Sequence, residues 1–219
     1  MMSKLFPSVV LLWLLALPCG HAQNKSPRPK PAKIKFSEKR GLYDRPITVE
    51  LTADVPDVKL YFTTDGSEPT PARGQPVKGP LRLQTTTVLR AAGYRENQLL
   101  TELDTHTYLF VADVPKQTGA SAPATWGTNQ NELVPADYEM DREIVGHPAY
   151  RSAFPAALRA LPSLSVVLEP NDLFAPDRGL YSNPLRSGEE WERKASVELL
   201  PFGARKGFQI DCGLRIQGG

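Results

Sequence analysis

Cysteine is nearly missing from this chain of 219 residues: Cys19 and Cys212 are the only two. Cys19 lies in the leading apolar segment, so a single thiol remains for everything after it, and a disulfide framework is excluded. Histidine is also scarce. Past residue 22 only His106 and His147 are left as partner bases, so Cys212, set among apolar residues on an expected strand, reads as a small buried hydrophobe rather than a nucleophile. Net charge is low as well. The formal value of +2 is too small to imply nucleic acid or an anionic membrane as partner. Paired catalytic carboxylates are not identifiable, which excludes glycoside hydrolysis by this chain. No catalytic, cofactor-binding or metal-binding residue is assigned, and no cofactor is expected. What is plentiful is proline, 21 residues against 16 glycines, which rules out long continuous helices and favours short strands, turns and extended connectors.

Residues 1–22 read as a cleavable signal peptide. Lys4 gives a positive start, Leu5–Leu17 is almost wholly apolar, Pro18 breaks the run, and Gly20-His21-Ala22 presents small residues to a signal peptidase, with cleavage between Ala22 and Gln23. The run falls short of the roughly 20 apolar residues that a membrane span needs. Lipid attachment at Cys19 is a further alternative, with Pro18 standing where lipoprotein signals place a small residue. The expected location is therefore exported: extracellular, cell surface or periplasm, with no transmembrane span after cleavage. Residues 23–35, QNKSPRPKPAKIK, alternate proline with basic residues and read as an extended, solvated tether.

Residues 36–113 carry the pattern of an immunoglobulin-like β-sandwich. Ile47, Val49 and Leu51 alternate with Thr48, Glu50 and Thr52; Leu60 and Phe62 with Tyr61 and Thr63; Leu81 and Leu83 with Arg82. Val88–Gly93 and Thr105–Val111 supply two more strands, and Ile34–Phe36 another. Period-two alternation puts one face in a core and the other in water. Turn signals separate the runs at Arg40-Gly41, Val55-Pro56-Asp57, Asp65-Gly66, Lys78-Gly79-Pro80 and Glu96-Asn97. Arg90-Ala91-Ala92 provides small residues where sheets pack closely.

The most informative stretch is Lys59–Thr70, KLYFTTDGSEPT: a strand, a tight acidic turn and a proline exit. Glycine accepts positive φ and aspartate caps its own backbone, so Asp65-Gly66 makes the reversal. Asp65, Ser67 and Glu68 place oxygen donors within four positions and form a candidate ligand loop, calcium included, although a calcium site usually needs more ligands than this. A sugar would want an exposed aromatic platform, for which Tyr43, Tyr61 and Tyr94 are candidates.

Residues 114–134 read as a linker, its Lys116–Thr125 stretch small and polar without periodicity. Pro135–Gly146 is acidic and reads as a solvated segment leading into a helix. Tyr150, Phe154, Leu158 and Leu161 recur at helical spacing, with a kink or two short helices expected at Pro155. Strands follow at Leu164–Leu168, Ala195–Leu200 and Phe208–Ile216, with a turn at Glu169–Asp172. The whole is expected to be mainly β, a sandwich followed by a partial α+β segment.

Two resemblances follow from these residues. Gly41–Val49, Leu60–Thr70, Gly79-Pro80-Leu81, Thr85–Ala91 and Thr107–Phe110 are together similar to the β-sandwich module appended to many bacterial glycosidases, known from the C-terminal part of chitobiase and hexosaminidase-type enzymes. That resemblance implies a non-catalytic accessory domain beside carbohydrate-active or cell-surface partners. Pro162–Val167, Asp172-Leu173-Phe174, Gly179–Pro184, Glu190–Arg193 and Gly207–Gly219 resemble the opening of a spore-coat CotH-type, kinase-like domain, expected over residues 135–219 and incomplete. Neither Gly-x-x-x-x-Gly-Lys nor His-Arg-Asp occurs, so no kinase position is carried over. The resemblances imply an exported surface or accessory protein. The alternatives are the N-terminal portion of a secreted CotH-like kinase, or a carbohydrate-binding accessory module. Partners would be cell-wall or extracellular polysaccharide, or a surface protein.

Overall fold

Period-two alternation becomes a stack of sheets. The structure, a computed structural model, describes residues 31–217 apart from 121, 130 and 131. The expected signal peptide, its Ala22–Gln23 cleavage point and most of the tether lie outside the described residues. The first ten strands are β1 (Ile34–Phe36), β2 (Gly41–Tyr43), β3 (Ile47–Val49), β4 (Leu51–Ala53), β5 (Lys59–Thr63), β6 (Gln75–Pro76), β7 (Leu81–Leu83), β8 (Thr87–Arg95), β9 (Gln98–Leu99) and β10 (Asp104–Phe110). One layer is the sheet β2-β10-β8-β5-β6, with β9 paired to β8; the facing layer consists of the pairs β1-β4 and β3-β7. Pairing is antiparallel except between β2 and β10, where Gly41 lies opposite Tyr108 in a parallel register.

Alternation decides what the layers bury. Val49, Leu51 and Leu83 of one layer meet Leu89, Ala91, Tyr108 and Phe110 of the other, and Val49, Leu89, Ala91 and Tyr108 are 0% exposed. Each buried aliphatic side chain of this kind contributes ~1.5–3 kcal/mol relative to exposure. The alternate residues of β8 and β10, among them Arg90, Ala92, Thr105 and Thr107, point to the opposite side of the six-stranded sheet and are buried too.

What covers them comes from the second half of the chain. There β11 (Thr125–Asn129) and β12 (Glu132–Pro135) form a hairpin, followed by α1 (Arg142–Gly146), α2 (Pro148–Arg151), α3 (Phe154–Ala160), β13 (Leu164–Leu168), α4 (Pro170–Phe174), β14 (Arg193–Leu199) and β15 (Phe208–Leu214). Strands β13, β14 and β15 make an antiparallel sheet in that order. Ser165, Ser196 and Glu198 face the sandwich. On the other side the register builds cross-strand ranks: Leu164-Leu199-Phe208, Val166-Val197-Ile210 and Leu168-Ala195-Cys212. Leu173, Leu180, Leu214 and Ile216 cover the third rank. The first two ranks lie open, with Leu164 60%, Val166 42%, Phe208 49% and Ile210 51% exposed.

Several local expectations need correction. Residues 114–134, read as a linker, hold a 3-10 helix at Val114–Lys116 and most of the β11–β12 hairpin; backbone pairing, which composition does not record, orders them. The acidic segment already contains helix α1, whose first N–H groups are capped by Asp141 accepting from Glu143 and Ile144. The break expected at Pro155 is present, with α2 and α3 as separate helices, but Tyr150 and Leu161 are 53% and 63% exposed and neither helix buries a residue. The turn expected at Glu169–Asp172 is the start of α4, with Pro170 at its first position, where the missing N–H is harmless. Cys212 is half-buried rather than buried. Among the described residues no helix is long and apolar enough to cross a membrane.

Candidate functional site

The turn in Lys59–Thr70 is held from inside. Asp65 Oδ1 accepts from the Ser67 backbone N–H at 3.0 Å and from its hydroxyl at 2.6 Å, and these bonds hold the Asp65 carboxyl below the usual carboxylate value. Thr63 Oγ1 donates to the Ser67 carbonyl at 2.6 Å. Gly66 takes φ +84°, and a Cβ there would press on the Leu168 carbonyl at 3.3 Å, so the position demands glycine twice. The three expected ligand residues do not converge: Asp65 and Ser67 bond each other, whereas Glu68 turns away. Its N–H donates to Glu169 Oε2 at 3.0 Å, and Arg73 holds the other oxygen of Glu169 at 2.5 Å. The turn thus docks onto the β13–α4 joint. Among the described residues no group of three His, Cys, Asp or Glu side chains is placed to hold a metal.

Glu68 leads into a hollow lined by both halves of the described chain. The two stacked sheets touch at Thr107 and Ser165, whose hydroxyls are 2.7 Å apart. Further along β8 a cleft of about 540 Å³ separates Arg90, Ala92 and Tyr94 from Lys194, Ser196 and Asp211 on the outer sheet. It continues into a second hollow of about 500 Å³, reaching Arg73, Glu169 and Arg178. Glu68, Arg90, Glu192, Arg193 and Lys194 line both. Arg90 is 5% exposed. Its Nη1 donates to the Gly66 carbonyl at 2.5 Å, while its Nε has no hydrogen-bond partner, and burial lowers its pKa against the pull of Glu68 and Glu169. Of the three tyrosines considered as platforms, Tyr94 lines this cleft, edge-on to Tyr61 at 5.9 Å. Tyr43 packs on the sandwich core.

A second cluster sits where β10 meets β14. Arg40 reaches Glu198 at 3.3 Å and Asp104 at 3.5 Å. Glu198, 0% exposed, also accepts from the Thr107 N–H at 3.2 Å and its hydroxyl at 2.5 Å. Burial pushes the Asp104 and Glu198 carboxyls up and the Tyr108 hydroxyl up, and lowers His106 to about 3, with Arg40 adding to the histidine's shift. His106 stacks on Phe36 with ring centroids 3.9 Å apart. At neutral pH this is a neutral imidazole beside a guanidinium that ties two carboxylates together, which fixes one sheet on the other.

Arg40, Arg90, Lys194 and Glu198 were not singled out as site residues from the sequence. For Arg90 a signal existed, a charge in the middle of a strand whose neighbouring residues Val88, Leu89, Ala91 and Ala92 are apolar. For Arg40 and Glu198 the partners lie far off in the chain, and for Lys194 the facing wall of the cleft does. No curated protein and no solved structure matches the chain. Residues 38–103, the sandwich from before β2 to the start of β10, match the family model of the chitobiase/beta-hexosaminidase C-terminal domain.

Proposed function

We propose that this chain is an exported, non-catalytic accessory protein that works beside carbohydrate, its sandwich carrying the second sheet toward cell-wall or extracellular polysaccharide. The observation that carries this reading is the family match over residues 38–103, a domain class associated with carbohydrate-active enzymes. A self-bonded turn at Asp65–Ser67 and a structural ion cluster at Arg40 agree with a scaffold rather than a catalyst. The test has two arms. Mass spectrometry of the protein recovered from the cell envelope and medium should find a mature chain starting at Gln23; recovery only from the cytosol with residues 1–22 intact overturns export. Incubation with insoluble chitin, cellulose and peptidoglycan should retain the protein on at least one, and retention on none overturns the carbohydrate reading.

A second reading takes residues 135–219 as the opening of a CotH-type kinase-like domain. The open ranks through Leu164 and Val166 leave room for the further layer that this reading would add. Sequencing downstream of codon 219 decides it: an open frame carrying magnesium-binding carboxylates and phosphate-binding cations supports it, and an immediate stop overturns it.

A further inference from the structure

We propose that the cleft between β8 of the sandwich and the β14–β15 hairpin is a binding site for a neutral saccharide chain, composed jointly by the two halves of the protein. This rests on the carbohydrate-accessory reading above and deepens it by placing the contact.

The charges in the cleft argue for a neutral ligand. Arg90, Arg193 and Lys194 share the walls with Glu68, Glu192 and Asp211, so neither an anionic nor a cationic ligand meets a field of one sign. Several of these groups are already engaged. Arg193 gives its donors to the carbonyls of Arg178, Glu190 and Glu192, and Glu192 pairs with Arg215 at 3.4 Å. Lys194 and Glu68 remain available at the cleft, since neither has an ion-pair partner among the described residues, while Arg90 Nε, also without a hydrogen-bond partner, is buried in the wall. A cationic donor and a carboxylate acceptor lining one cleft suit a group that both donates and accepts, which is what a hydroxyl does.

The floor fits the same ligand. Leu99, Leu103 and Tyr94 give the accessible apolar surface, with Pro69 and Ala92 buried in the wall of the cleft. The C–H face of a pyranose ring lies on such a surface while its equatorial hydroxyls reach the polar rim. The volume of about 540 Å³ lies within the ~300–1,000 Å³ usual for small-molecule sites. Continuity with the second hollow past Arg73 and Glu169 gives a groove longer than one ring, as a polymer segment needs. Neither wall makes the site alone: Arg90 and Tyr94 come from the sandwich, Lys194 and Asp211 from the outer sheet.

The experiment uses the full chain. Isothermal titration and saccharide-detected saturation-transfer NMR are run with tri-N-acetylchitotriose, cellotriose and a uronic-acid trisaccharide, and retention on insoluble chitin, cellulose and peptidoglycan is scored in parallel. Binding to a neutral sugar, soluble or insoluble, is expected. It should weaken by about tenfold or more in Tyr94→Ala and in Lys194→Met, as loss of a stacking platform or a charged hydrogen bond implies, and stay unchanged in Arg82→Met on the far layer. Thermal unfolding checks each variant; Lys194 is exposed, so its substitution keeps the test valid if Tyr94→Ala unfolds. Wild-type binding that both cleft variants keep within about twofold overturns the cleft assignment and leaves the accessory reading standing. Preference for the uronic-acid sugar overturns the neutral-ligand claim. Failure of the wild type on every sugar overturns both readings.

Discussion

In the sandwich, Val49 and Leu83 of one layer meet Leu89 and Tyr108 of the other, and the core closes within a single stretch of chain. In the β13–β15 sheet the buried apolar cluster is confined to Leu168, Leu180 and Ala195 with their half-buried neighbours, and two ranks of aliphatic and aromatic side chains face water. The face of the sandwich that the outer sheet covers carries Thr63, Arg90, Thr105 and Thr107, side chains that tolerate water. The face that the outer sheet turns to the sandwich carries Ser165, Ser196 and Glu198. The two regions therefore meet largely through hydrogen bonds and ion pairs, and dependence runs one way. The sandwich has a core of its own, and the outer sheet is held in place by the sandwich.

Separation of the two regions is the severest way to break this comparison. Residues 31–113 produced alone should unfold cooperatively in urea, and residues 116–219 alone should show no cooperative transition. A sharp transition in the second fragment would end the claim of dependence. The next largest effect is expected at the ionic tie. Arg40→Met leaves the buried carboxyl of Glu198 and the half-buried one of Asp104 without their counter-charge, and the full chain should lose ~3–5 kcal/mol. A loss under ~1 kcal/mol in denaturant titration, the size expected of a surface pair, would show the cluster to be incidental.

Proton linkage sharpens the same point. His106 has its pKa lowered to about 3, so the folded state holds it neutral where the unfolded chain begins to bind a proton near pH ~6.5. Its contribution is fully present above that pH and is lost as pH falls toward about 3. Asp104 and Glu198, pushed up, act in the opposite sense: their burial penalty relaxes as they take up protons on acidification. The histidine's share is read by difference. Between pH ~6 and ~5 the wild type should lose up to ~1.4 kcal/mol per pH unit more than His106→Gln, and parallel pH curves would refute this placement of the imidazole. The smallest effect concerns the open ranks. Ile210→Thr should change stability by no more than ~0.5 kcal/mol, while lowering retention on a hydrophobic-interaction column; a large destabilisation would mean that Ile210 is packed.

The sandwich was legible because its signals are local. Leu60 and Phe62 alternate within one strand, and Asp65-Gly66 names its own turn; both stand in the structure as read. The outer sheet was half legible. Its strands were expected within two residues of their ends, yet nothing in SVV or in EEWER says which face meets which sheet. The cleft was not legible at all. Arg90 and Lys194 are separated by the linker, the helices and β13, and only the folded chain sets them on facing walls. The β11–β12 hairpin escaped notice for a related reason, because TWGTN and ELVP pair through their backbones without a side-chain period to announce it.

The bond from Thr107 to Glu198 joins residues 91 positions apart, and it has a consequence in time. During synthesis the sandwich is complete while β14 is still unmade, so Thr107 first meets water and donates to Glu198 only later. Closing so long a loop costs entropy that local strand pairing does not, and contacts of such sequence separation form slowly. Assembly is thereby ordered: the first sheet pair matures, the second sheet docks, and the cleft between them is the last feature of the molecule to exist.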